Sequence, residues 1–242
     1  MPTISLSPSV LFAIGPLQVT TTLLLQIVII AAIAALFLCV ARHWQAVPGK
    51  LQWAVESLVL AAYDQVDKIT NDKARTAKLF PLAFTLFIFI LVSNLVTVIP
   101  GLGALSWHAP TGDISLFRAA LADYSMILVM TLIVVIGCQV VFISVNGPLK
   151  YVKKWLNFSS PLAFVLGLMD VISEFAKVLS LSFRLYGNVF AGEVLVGVMT
   201  ALVPYFVPFP FFVLSTFSGV IQAYVFALLA TIFLNQSLDK VE

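Results

Sequence analysis

Long apolar stretches alternate with short polar ones along this chain. The first apolar run covers about 19–41 and stops at Arg42, His43 and Trp44, just before Pro48 and Gly49. Roughly 20 apolar residues match the hydrocarbon thickness of a bilayer, so the run predicts a spanning helix. The next segment differs in kind. Trp53, Val55, Leu58, Val59, Ala62, Tyr63 and Val66 are mixed with Glu56, Asp64, Asp67, Lys68, Asp72, Lys73 and Arg75. That mixture predicts an amphipathic helix over 50–78, lying on the membrane surface and followed by a polar turn. A second span is expected over 79–99, with Pro81 in its first turn, where proline is tolerated. Pro100-Gly101-Leu102-Gly103 ends it. The stretch to Arg118 has little apolar periodicity, and a third span is expected over 124–145, closed by Asn146-Gly147-Pro148.

The last third is organised differently. From 160 to 202 no helix-stopping turn occurs, only Gly167, Gly187, Gly192 and Gly197. A helix of that length measures roughly 60 Å at about 1.5 Å per residue, about twice the hydrocarbon thickness. It must be strongly tilted or broken at a glycine. Pro204, Pro208 and Pro210 then form a turn, and a last apolar helix is expected over 211–237. The pattern predicts an all-α membrane protein. It forms a single membrane domain (1–242) of spans, a surface amphipathic helix and two long, strongly tilted C-terminal helices in a hairpin.

Composition agrees with a membrane location. The chain has 242 residues, 61% hydrophobic and 10% charged, against about 25% charged in a soluble domain. The mean hydropathy is +1.08. Runs this long are not the alternating ten-residue segments of an outer-membrane barrel. No cation precedes Arg42, so the first run reads as a retained span, not a cleaved signal. Loop cations set the orientation. Six lie in 42–78 and three in 146–158, against Arg118 alone in the loop before the third span. Those two segments and the C-terminus are expected in the cytoplasm, with the N-terminus outside. The net charge of +2 gives no reason to expect nucleic acid. Cys39 and Cys138 fall in apolar runs and read as small buried hydrophobes without a disulfide.

Candidate chemistry enters with Arg184. No other Lys or Arg lies between Lys177 and Lys240. An arginine at the centre of a spanning helix costs about 2.5–3.5 kcal/mol on insertion scales and about 10–17 kcal/mol in simulations. Its guanidinium cannot shed its proton to escape that cost. Asp170, Glu174, Lys177 and Asn188 share its face, within a sector of roughly 80° at about 100° per residue. Glu193 sits on another face. On the last helix Ser215, Ser218 and Gln222 fall three and four residues apart, again on one side. A bland reading stands beside this one. Asp170, Glu174 and Lys177 would then be a local ion-paired cluster at the water interface, and Ser215 and Ser218 would serve helix packing. No glycine-rich nucleotide loop, metal-ligand spacing or nucleophile elbow occurs, so no cofactor, metal or catalytic residue is expected. His43 and His108 read as surface histidines.

The residues also carry a resemblance. Ser182-Phe183-Arg184-Leu185-Tyr186-Gly187-Asn188, continuing Val189-Phe190-Ala191-Gly192-Glu193, resembles the signature of subunit a of F-type ATP synthases. So does Val220-Ile221-Gln222-Ala223-Tyr224-Val225-Phe226. Pro48-Gly49-Lys50-Leu51-Gln52, Ser93-Asn94-Leu95 before Ile99-Pro100, and Pro110-Thr111-Gly112-Asp113 extend it beyond residue 45.

The resemblance implies a non-catalytic stator subunit in the bacterial inner membrane. Its implied partners are a c-subunit ring, the peripheral-stalk b subunits and the rest of the complex. It also implies that Arg184 faces carboxylates on the ring and separates two proton half-channels. Asn188, Glu193 and Gln222, with Ser215 and Ser218 nearby, would line the outer one. Asp170 and Glu174 would line the cytoplasmic one. Some family members carry a histidine or carboxylate where this chain has Ser215, and a serine cannot relay protons by titrating near neutral pH. Sodium in place of the proton is the alternative within the class. A stand-alone channel or secondary transporter with Arg184 as an anion site is the alternative outside it.

Overall fold

A computed structural model describes residues 10–14, 17–45, 48–96, 106–109, 112–115, 121, 123–148, 161–203 and 206–239. The cations at 118, 150, 153 and 154, and the turn residues 97–105, 110–111 and 204–205, lie outside the described residues. Six helices are described: α1 (Thr21–Arg42), α2 (Lys50–Thr70), α3 (Lys73–Val96), α4 (Tyr124–Asn146), α5 (Pro161–Leu202) and α6 (Pro208–Ser237). The architecture is that of an all-α membrane protein. Among the described residues, α1, α3, α4 and α6 are long and apolar enough to cross a bilayer.

Two antiparallel hairpins, which the hydropathy pattern does not announce, accompany the helices. β1 (Val10–Ile14) pairs with β2 (Leu17–Thr20), and β3 (Ser106–Ala109) pairs with β4 (Gly112–Ser115). They precede α1 and join α3 to α4, so β3 and β4 fall in the stretch expected as plain loop.

The segment expected as one helix over 50–78 is divided. Asn71 adopts a left-handed backbone with φ 51° and ends α2, and asparagine is among the few residues that tolerate that conformation. Asp72 Oδ1 then accepts from Ala74 N at 2.9 Å, starting α3 two residues later. The turn is held by shared hydroxyls. Thr70 and Thr76 meet at 2.6 Å, and Thr76 Oγ1 also lies 2.8 Å from Asp67 Oδ1. Because α3 begins at Lys73, Pro81 lies inside it and not in its first turn. The amide hydrogen bond it removes would end on the exposed Ala77, and Thr85 Oγ1 donates to the Pro81 carbonyl at 2.6 Å.

The core joins α3, α4, α5 and α6 through Ile90, Ile127, Val134, Leu181, Leu185 and Phe226. On α6, Gly219, Ala223 and Ala227 recur every fourth residue and are buried. Small residues at that spacing let helix backbones approach closely. The approach is visible at Gly219, whose carbonyl accepts from Asn94 Nδ2 of α3 at 2.9 Å. A Cβ there would stand 3.1 Å from Asn94 Cβ and Cγ. α1 packs on α3 through Leu25 and Ile29 and is otherwise largely exposed. Cys39, on its exposed side, is therefore not the buried residue its apolar run suggested, whereas Cys138 of α4 is buried, and both are free thiols.

Candidate functional site

α5 is continuous over 42 residues, with no break at its glycines. It runs antiparallel to α6. Lys177 meets Phe233, Asn188 meets Ser218, and Gly192 meets Ser215. As one partner number rises the other falls, which fixes the register. Gly192 is buried, and a Cβ on it would run into the Ser215 side chain. Glycine at 192 is what lets α6 come this close.

The polar stripe on α5 borders two surfaces. Leu181 and Leu185 are 1% and 0% exposed and face the core. On the other side Ile172, Phe175, Leu179 and Phe183 are exposed and form an apolar outer face. Asp170, Glu174, Lys177 and Asn188 are half-buried between them, and Arg184 is exposed. Its Nη2 reaches Ser180 Oγ, one turn back, at 3.5 Å. Among the described residues no carboxylate forms a salt bridge with it. The guanidinium thus sits at the edge of an apolar face with one weak neutral partner.

One end of the α5–α6 pair brings Asn188 to Ser218 and Gly192 to Ser215. Ser218 Oγ donates to Asn188 Oδ1 at 2.6 Å. Ser215 rests on Gly192, next in sequence to the half-buried Glu193. Gln222 lies one turn beyond Ser218, and its buried Nε2 has no hydrogen-bond partner among the described residues. Ser93 Oγ of α3 is buried in the same condition. Buried polar atoms are nearly always paired with protein or water, so these two positions suit ordered water.

The other end is self-contained. Glu174 and Lys177 form a salt bridge of 3.0 Å, with side chains 16% and 28% exposed. The Lys177 ammonium also sits 5.1 Å from the centre of the Phe233 ring, a favourable cation–π arrangement. Asp170 lies one turn before Glu174 and is not brought into that pair.

Three further residues contribute to the site. Ser180 has a readable signal, since it stands four residues before Arg184. Asn94 reaches Gly219 across 125 positions, which no local pattern announces. Tyr124, at the start of α4, stacks on Phe183 with ring centres 5.6 Å apart and meets Tyr186 edge-on at 5.4 Å. It thereby grips α5 on both sides of Arg184.

Comparison with known proteins identifies the family. Residues 22–235 match the family model described as ATP synthase A chain. ATP synthase subunit a 2 of Bradyrhizobium sp. (strain BTAi1 / ATCC BAA-1182) is 33% identical over 236 residues, 98% of this chain and 96% of that protein. ATP synthase subunit a of Geotalea daltonii is 32% identical over 212 residues, covering 88% and 85% of the two chains. The same subunit of Helicobacter pylori (strain P12) is 31% identical over 212 residues, 86% and 85%. A family match over nearly the whole chain, joined to relatives of this similarity along most of their own length, places this integral membrane protein in the ATP synthase subunit a family.

Proposed function

We propose that this chain is the ion-conducting stator subunit of a rotary ATP synthase, with Arg184 as the fixed charge past which carboxylates of a c-subunit ring move. The observation that carries this reading is the setting of Arg184. It is exposed at the edge of an apolar helix face, and no carboxylate among the described residues forms a salt bridge with it. A permanent cation so placed calls for an anion on another protein.

The chemistry follows from electrostatics. An opposite charge within about 4–6 Å lowers a carboxyl pKa and keeps the group ionised. A ring carboxylate is therefore held charged beside Arg184 and is released from that influence as the ring turns. It takes up a proton from one aqueous path and gives it to another. Arg184 keeps the two paths apart, because a proton meets a fixed positive charge between them. Each elementary charge crossing 100 mV is worth about 2.3 kcal/mol, so several must pass for each ATP.

The outer path runs by Asn188, Ser218, Gln222, Glu193 and Ser215. The Ser218–Asn188 hydrogen bond and the unpaired Gln222 amide suit water and proton passage there. Asp170 and Glu174 line the cytoplasmic path. At about 1.5 Å per residue α5 is roughly 63 Å long, so it lies strongly tilted and serves both halves of the bilayer. The excess of cations in 42–78 supports a cytoplasmic location in a bacterial cell for that side and the C-terminus, with the N-terminus outside. The b subunits of the peripheral stalk hold the chain against the ring.

The test is Arg184→Ala in the assembled complex, read as ATP-driven proton pumping into inverted membrane vesicles. We expect pumping to be lost while the complex assembles in normal amount. Pumping at the normal rate would overturn the role given to Arg184.

A further inference from the structure

A cavity of about 260 Å³ lies between α2, α3 and α6, its lining drawn from those three helices. Its floor is buried and consists of Val66, Ala83, Ala227 and Thr231. The Thr231 hydroxyl donates to the Ala227 carbonyl at 2.8 Å, so the floor offers water no free donor there. Phe80 and Phe84, stacked at 5.3 Å, form one wall. Leu58, Ala61 and Tyr224 are exposed and mark the mouth. At that mouth Tyr224 Oη donates to Gln65 Oε1 at 3.3 Å.

An apolar void stays dry, as an engineered cavity of about 150 Å³ that admits benzene but not water illustrates. Left unfilled, its wall atoms forfeit dispersion contacts. The occupant that fits is therefore hydrocarbon. In an integral membrane protein the abundant hydrocarbon is a lipid acyl chain.

Charge selects the headgroup. Lys68 stands seven residues after Ala61 and Lys50 eleven before it, so both fall within about 20° of Ala61 around α2. Both lysines are exposed. Lys68 lies two turns from the mouth, about 10 Å along the axis, within reach of a phosphate whose chain enters there. Asp64, also exposed, occupies the next flank of α2, roughly 60° from Ala61.

We propose that this cavity binds one acyl chain of an anionic phospholipid, with its phosphate held at Lys68. The site is independent of the rotary reading, because its lining includes none of the residues assigned there to the ion path.

The experiment uses the assembled ATP synthase in vesicles of phosphatidylglycerol and phosphatidylcholine. One lipid or the other carries a photoreactive diazirine in its acyl chain, and labelled peptides are mapped after irradiation. With the phosphatidylglycerol probe, the segments 58–66 and 224–231 should label more strongly than the exposed Ile27 and Ile30 of α1. Ala62→Phe, which fills the cavity, should abolish that excess. Leu58→Glu, an exposed rim position that needs no added room, should do the same. Lys68→Gln should remove the preference for phosphatidylglycerol over phosphatidylcholine. Labelling no stronger than on α1, or unchanged in both cavity variants, would overturn the site. So would a photoreactive group at position 61 that captured a polypeptide in place of lipid. An unchanged preference in Lys68→Gln would overturn the assignment of the phosphate.

Discussion

Two cations seven residues apart on one stripe of α5 have opposite settings. Lys177 is compensated within the chain, by Glu174 at 3.0 Å and by the Phe233 ring at 5.1 Å. Arg184 has, among the described residues, only the Ser180 hydroxyl at 3.5 Å. The difference separates structure from function on a single helix. A charge that holds helices together is satisfied where it stands. A charge that acts on a moving partner must be left available, and the apolar face around Arg184 is where such a partner fits. The residue types follow the same division, because lysine is a flexible point charge whereas arginine offers a rigid fork of donors that never deprotonates.

Truncating each cation breaks the comparison most sharply. Arg184→Ala should abolish coupled pumping and leave assembly intact. Lys177→Ala should retain the greater part of the pumping but lower stability by about 1–3 kcal/mol, since it leaves the Glu174 carboxylate, 16% exposed, without its partner. Pumping by inverted vesicles and thermal melting of the purified complex separate the two effects. Equal loss of pumping in both variants would erase the distinction.

The next effect concerns the register that presents Arg184. Gly192→Ala places a methyl group against Ser215. Overpacking of this kind costs about 1–3 kcal/mol and forces α5 away from α6. Pumping should fall, and Gly192→Ala combined with Ser215→Gly should recover most of it. Such a double-mutant cycle measures the contact itself. Additive losses would mean that the two residues do not support one another.

Much of this was legible in the sequence. The apolar runs gave the helices at 124–146 and 161–202 nearly to the residue, because length and hydropathy alone decide a buried helix in lipid. The split between α2 and α3 was hidden, since amphipathic spacing continues past Asn71 and nothing in it announces a left-handed residue. The hairpins were hidden too, because strands of four or five residues carry little period. At the site, spacing placed Arg184, Asn188 and Lys177 on one face of α5, and Ser215, Ser218 and Gln222 on one side of α6. It could not say that Asn188 would meet Ser218, because the register between two helices is a property of their packing. Asn94 against Gly219 is the same case, a contact between distant residues set by how closely two backbones approach.

The smallest expected effects lie where Gly192 of α5 meets Ser215 of α6. Glu193→Gln removes a group that can exchange protons, keeps its shape, and should lower the pumping rate. Ser215→Ala removes a hydroxyl that cannot titrate near neutral pH and leaves a methyl group on Gly192, so the rate should change little. Both positions adjoin Gly192, Ser215 by contact across the helix pair and Glu193 in sequence. A larger loss from Ser215→Ala than from Glu193→Gln would place the proton path on the α6 side, at Ser215 and its waters, and would remove Glu193 from it.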